Sequence, residues 1–153
     1  MHLNSINSRG YKPHVVRELL GLRSQKFRNW RKILDPIPTR THFPADVMFA
    51  YRILQALMED YRFKPSELKA LNSDVIFEFC LSTPIVEAVH YYVLISKHSN
   101  DLQVLHESVR FDIQDRKLDH MYLKDLVEEH RNAFLAMGGQ PISSNLATFK
   151  LTH

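Results

Sequence analysis

Apolar positions recur at helical intervals through the first half of the chain and give way to strand-like runs after residue 84. Val16, Leu19 and Leu20 form one short helical face, with Pro13 suited to its first position and Gly21 to its left-handed end. Leu22 belongs under the turn, and Ser24 is the expected N-cap of the next helix. In that helix Phe27 and Trp30 point inward, three residues apart. Asp35-Pro36-Ile37-Pro38 then cannot continue it, so a loop or short hairpin through Phe43 is expected. A third helix begins near Pro44, with Asp46 in its first turn and an apolar stripe of Val47, Tyr51, Leu54, Met58 and Tyr61. Pro65, Ser66 and Glu67 open a fourth, expected to run with a bend through Phe79.

After Leu81-Ser82-Thr83-Pro84 the aromatic and β-branched run from Val89 to Ser96 reads as a strand. Ser99-Asn100-Asp101 is a turn, Leu102 to Ile113 holds one or two more strands, and Met121 to Leu123 another. A helix follows from about Lys124 to Met137, stopped by Gly138-Gly139-Gln140-Pro141. The tail bearing Ile142, Leu146, Phe149 and Leu151 is read as a closing strand or loose chain. The expected class is α+β: an N-terminal winged helix-turn-helix in residues 1–72 and a small α/β dimerisation or effector module in residues 73–153.

Charge sharpens that division. Residues 1–72 carry 13 Lys and Arg against 6 Asp and Glu, whereas residues 73–153 carry 7 against 11. A basic front and an acidic back suggest a polyanion-binding part joined to a different module. In the second helix the basic and amide residues leave the apolar side free. Gln25 and Asn29 stand four apart, where their amides can pair with adenine in a major groove. Arg23, Lys26 and Arg28 suit guanine or phosphate, with Ser24 at the helix start. Lys12, Arg31, Lys32 and Arg40 suit phosphate, which sets affinity and register. Arg9 is a candidate basic arm.

The series Val15-Val16-Arg17-Glu18-Leu19-Leu20-Gly21-Leu22, Phe27-Arg28-Asn29-Trp30, Leu34-Asp35-Pro36, Arg40 and Phe43-Pro44-Ala45-Asp46-Val47 resembles the winged helix-turn-helix of the MerR family of transcription regulators. The likeness continues through residues 53–57 and 65–71 and covers roughly residues 11–72. It implies that residues 24–32 are a recognition helix, that Arg28 contacts DNA, that Trp30 packs beneath the wing, and that Arg40 is a wing arginine next to phosphate. Against the family pattern, residues 31–43 are short and hold two prolines, Asn29 stands where an aromatic or His is usual, and strand-like sequence replaces the long dimer helix.

The resulting expectation is a cytoplasmic, sequence-specific transcriptional regulator of repressor type, binding double-stranded DNA as a homodimer. The alternatives are an accessory DNA-binding protein of a phage or mobile element (excisionase or packaging type) and a protein-interaction adaptor that does not bind DNA. Nothing in the sequence points to catalysis, a cofactor or a membrane span: the four glycines form no phosphate-cradling loop, and no Gly-x-Ser-x-Gly stands in the chain. His90, His98, His106, His120 and His130 lack metal-ligand spacing. The single cysteine, Cys80, reads as a small buried apolar residue. Tyr91 and Tyr92 are candidates to line a pocket for a small-molecule effector, core packing being their ordinary role.

Overall fold

The computed structural model describes residues 10–137. The expectations for Arg9, for the glycine-rich helix stop and for the tail lie outside the described residues. The elements run α1 (Pro13–Leu20), α2 (Ser24–Leu34), α3 (Ala45–Asp60), α4 (Pro65–Ala70), α5 (Asp74–Ser82), a 3-10 segment (Ile85–His90), β1 (Tyr91–Ser96), β2 (Asp101–His106), β3 (Leu118–Tyr122) and α6 (Lys124–Ala136). The molecule is mixed α+β, as its hydrophobic pattern indicates. No helix among the described residues is long and apolar enough to cross a membrane.

Local chemistry explains where α1 begins and ends. Pro13 occupies its first turn, where a missing N–H leaves nothing unsatisfied. Gly21 follows in the left-handed region with φ 66°, a conformation costly for a residue with a Cβ. Its N–H bonds to the Glu18 carbonyl while the Leu22 N–H bonds to Arg17, closing two free carbonyls. The start of α2 corrects one expectation. Arg23, in extended conformation, holds the cap position and makes no side-chain capping bond; Ser24 is already helical. The physical reason is register: the first helical bond of the Phe27 N–H is accepted by the Arg23 carbonyl.

Helix α3 departs further from expectation. In place of one apolar stripe, every residue from Ala45 to Tyr51 is buried, as are Ile53, Leu54, Ala56 and Leu57. It is the central helix, covered on more than one side. Arg52 and Gln55 donate to the Leu19 and Leu20 carbonyls at the end of α1. Tyr51 meets Phe77 of α5 edge-on at 5.6 Å, and Phe49 meets His130 of α6 at 5.3 Å.

The expected bent helix through Phe79 is instead two helices. Asn72 takes φ 65° between them, and asparagine tolerates that left-handed conformation better than most residues. The predicted strand from Val89 begins only at Tyr91, because the residues after Pro84 wind into the 3-10 segment. Residues 102–113 contribute one strand, within the one or two expected. The sheet is antiparallel in the order β2-β1-β3, with Val93 opposite Val104 on one side and Met121 on the other. Val93, Ile95, Leu102 and Met121 turn toward the helices.

Helix α6 closes the molecule by packing back on its beginning. Phe134 lies 5.6 Å from Tyr11, and the Arg52 Nε donates to His130 Nδ1 at 2.9 Å. One apolar core therefore runs from Tyr11 to Phe134 and passes without a break through the division expected at residues 72/73.

Candidate nucleic-acid interface

Helix α2 is strongly two-sided. Phe27, Trp30 and Leu34 are buried, while Ser24, Gln25, Lys26, Arg28, Asn29 and Lys32 are exposed. The buried side is anchored by rings: Phe27 lies 5.6 Å from Phe43 and 5.5 Å from Tyr51. At 3.6 residues per turn, Gln25, Arg28, Asn29 and Lys32 fall on the side opposite these anchors. Arg28 Nη1 donates to Gln25 Oε1 at 3.1 Å, and the Lys26 ammonium sits 5.7 Å from the Trp30 ring centre. Among the described residues, Arg23, Lys26, Arg28 and Lys32 form no ion pair with a carboxylate. The first turn carries no acidic residue and no side-chain cap, so the partial positive charge of the helix start adds to this surface. Lys12 is exposed at the cap of α1, beside the Tyr11–Phe43 bridge that ties the chain ahead of α1 to the end of the loop.

Two of the expected phosphate contacts do something else. Arg40 is bound to Asp35 through Nε at 2.9 Å and Nη2 at 2.8 Å, with their side chains 12% and 0% exposed. Arg31 turns its Nη2 to the carbonyls of Pro38 and Arg40, and its guanidinium lies 5.2 Å from the Phe43 ring centre. Both cations therefore face the loop of residues 35–43 in place of solvent. For Arg40 the reason is the buried Asp35 carboxylate, which also accepts from the Ile37 N–H at 2.8 Å and the Tyr51 hydroxyl at 2.7 Å. A buried carboxylate requires such partners. Burial, reinforced by the neighbouring Asp35 charge, pushes the Tyr51 phenol far above its ordinary pKa, so it stays a neutral donor. The loop forms no hairpin among the described residues; its strand-like contact is the Tyr11–Phe43 bridge. Asp35 and Tyr51 were not singled out from sequence as partners. The Asp-Pro turn was visible there, but nothing local marks a tyrosine sixteen residues on as its donor.

The sheet half offers less. Tyr91 and Tyr92, as neighbours on a strand, face opposite sides. Tyr91 packs on Phe79 at 4.9 Å, whereas Tyr92 lies among Phe111 and Tyr122 and donates to the Val109 carbonyl. They line two different clefts. Among the described residues no group of three or more His, Cys, Asp or Glu is arranged to hold a metal ion. His98 bonds Asp115 at 2.7 Å at the surface, and Cys80 is buried, its thiol pushed well up by that burial. The chain matches no protein-family model, no curated protein and no solved structure.

Proposed function

We propose that this protein is a sequence-specific DNA-binding regulator of repressor type, acting as a homodimer and reading a major groove with the outward side of α2. One observation carries the reading. The exposed side of α2 is composed of cations and amides, forms no ion pair with a carboxylate among the described residues, and is held by three buried anchors. Gln25 and Asn29 supply groups that pair bidentately with adenine, and Arg28 one that pairs with guanine. Arg23, Lys26, Lys32 and Lys12 are the phosphate contacts, fixing register without reading sequence. The order helix, glycine turn, helix, loop, helix supports the MerR-like reading of residues 11–72. One helix covers a small site, so two copies on adjacent half-sites are required for tight binding.

Binding to labelled duplex measured across a salt series tests this. With four cations on phosphate, about −0.9 per phosphate contact gives a log–log salt slope of roughly −4 per protomer. A flat response between roughly 50 and 200 mM salt would remove the proposal.

A further inference from the structure

The outward face of the sheet carries a ring-lined slot outside the main core. Val93, Ile95 and Met121 turn toward the helices, so their strand neighbours Tyr92, His120 and Tyr122 share the opposite face. The connection between β2 and β3 folds over that face, fastened where the Tyr92 hydroxyl donates to the Val109 carbonyl at 2.7 Å. Phe111 of this connection rests 5.4 Å from Tyr92 and 4.8 Å from His120. Tyr122, opposite Tyr92 in the strand register, lies 5.5 Å from Tyr92 and 5.4 Å from His120. These three rings line a cleft of about 210 Å³, which Glu107, Arg110 and Ile113 also border.

The slot is built before any ligand arrives. Phe111 and Tyr122 are each held against both Tyr92 and His120, so a bound ring need not order them. Tyr92 is 1% exposed and forms the floor, whereas Tyr122 is 55% and Ile113 72% exposed at the mouth. That leaves apolar surface in water, which a bound ring would cover. The volume is below the roughly 300–1,000 Å³ of a pocket for a drug-sized ligand, so it suits one ring with a short polar group.

Charge selects the polar group. The Glu107 carboxylate already has a partner, His90, whose Nδ1 lies 3.4 Å away. Arg110 is exposed, and its side chain makes no ion pair or hydrogen bond among the described residues. Burial raises the Tyr92 phenol pKa, the Tyr122 phenol raises it further, and Arg110 opposes both, so the guanidinium charge reaches the rings. A guanidinium holds a carboxylate through two parallel N–H bonds, and aromatic rings pack well when tilted or offset. We infer that this slot binds a single-ring aromatic carboxylate, with its ring between Phe111 and Tyr122 and its carboxylate on Arg110. The slot shares no lining residue with α2, so it stands or falls independently of what α2 binds.

Benzoate titrated into the full chain, followed through the amide resonances, tests the assignment. Saturable shifts are expected at Tyr92, Phe111 and Tyr122, with a Kd on the order of 1 mM, as suits so few atoms. Cyclohexanecarboxylate, which keeps the charge without the aromatic ring, and benzylamine, which reverses the charge, should each bind at least about tenfold more weakly. Arg110→Gln should lose about tenfold in benzoate affinity at an unaltered melting temperature, because its side chain has no partner to lose. Tyr122→Leu should lose severalfold. Shifts that stay linear and scattered up to roughly 10 mM, or an Arg110→Gln variant that binds benzoate as the parent does, would overturn the site. Equal binding of cyclohexanecarboxylate would overturn the aromatic ligand. Tighter binding of benzylamine would overturn the anion and make the rings, with Glu107, a cage for a cation.

Discussion

Asp35 shows how one side chain can set the form of a whole loop. Its buried carboxylate takes hydrogen bonds from Arg40, Tyr51 and the Ile37 backbone, so removing it strands a guanidinium that is itself largely buried. Breaking a buried pair from one side costs about 3–5 kcal/mol, and Asp35→Ala should lower stability by that order in chemical denaturation. A change below about 1 kcal/mol would show the loop is not braced through this residue. His130 makes a second residue-scale prediction. Burial, then the Arg52 charge beside it, holds its imidazole well below the usual histidine pKa, and it is neutral. Glu129, which raises the Arg52 pKa, is the nearby compensating charge. Below about pH 6.5 the unfolded chain takes up a proton here that the folded chain refuses. The unfolded state then binds more protons, so stability falls as pH falls and is flat above that point. Melting temperature followed from pH 8 to pH 5 should decline on the acid side, and His130→Gln should reduce that decline even while lowering the plateau. Equal acid slopes for the two proteins would place the titration elsewhere.

At the scale of elements, α2 was almost wholly legible. Its sidedness depends on spacing alone, and Phe27 and Trp30 lie inward as their three-residue separation requires. Its neighbours were legible where a cap or turn marks them: Pro13, Gly21, the turn before Asp101 and the start of α6 all fall where local chemistry puts them. Missed features involve a residue whose role depends on something remote. A helix at Pro65 was evident, yet its break at Asn72 depends on the packing that places α5 against α3. For α2 the DNA reading makes a separable prediction. Asn29→Ala should erase preference at one base pair, a loss of about 1–3 kcal/mol of discrimination, whereas Lys32→Ala should weaken binding to all sequences alike. A selection profile that both variants change in the same way would refute the division of roles.

The whole molecule answers a question its charge division posed. The basic and acidic halves suggest two modules, yet their apolar side chains share one core. A chain ending at Asn72 would strip Tyr51 of Phe77 and Phe49 of His130, exposing the central helix. Such a fragment should fail to fold cooperatively, giving no sharp thermal transition and poor dispersion of amide resonances; a well-folded monomer would show that the first 72 residues are independent. Sedimentation of the full chain checks the proposed homodimer, for which a single species at about 18 kDa would be the opposing result.

What the chain determined unaided is local: which residues start and stop α1, which side of α2 is apolar, and where strands replace helices. These follow from interactions within a turn or two, so their causes stand next to one another in the sequence. Tertiary structure decided the rest. Arg31 and Arg40 look like any other cation in the basic stretch, and only folding, which places a buried carboxylate and two loop carbonyls within their reach, turns them inward. The single core has the same origin, since α6 returns to Tyr11 across more than a hundred residues. A charged side chain takes whatever partner burial makes most costly to leave alone, and that partner is chosen by the fold.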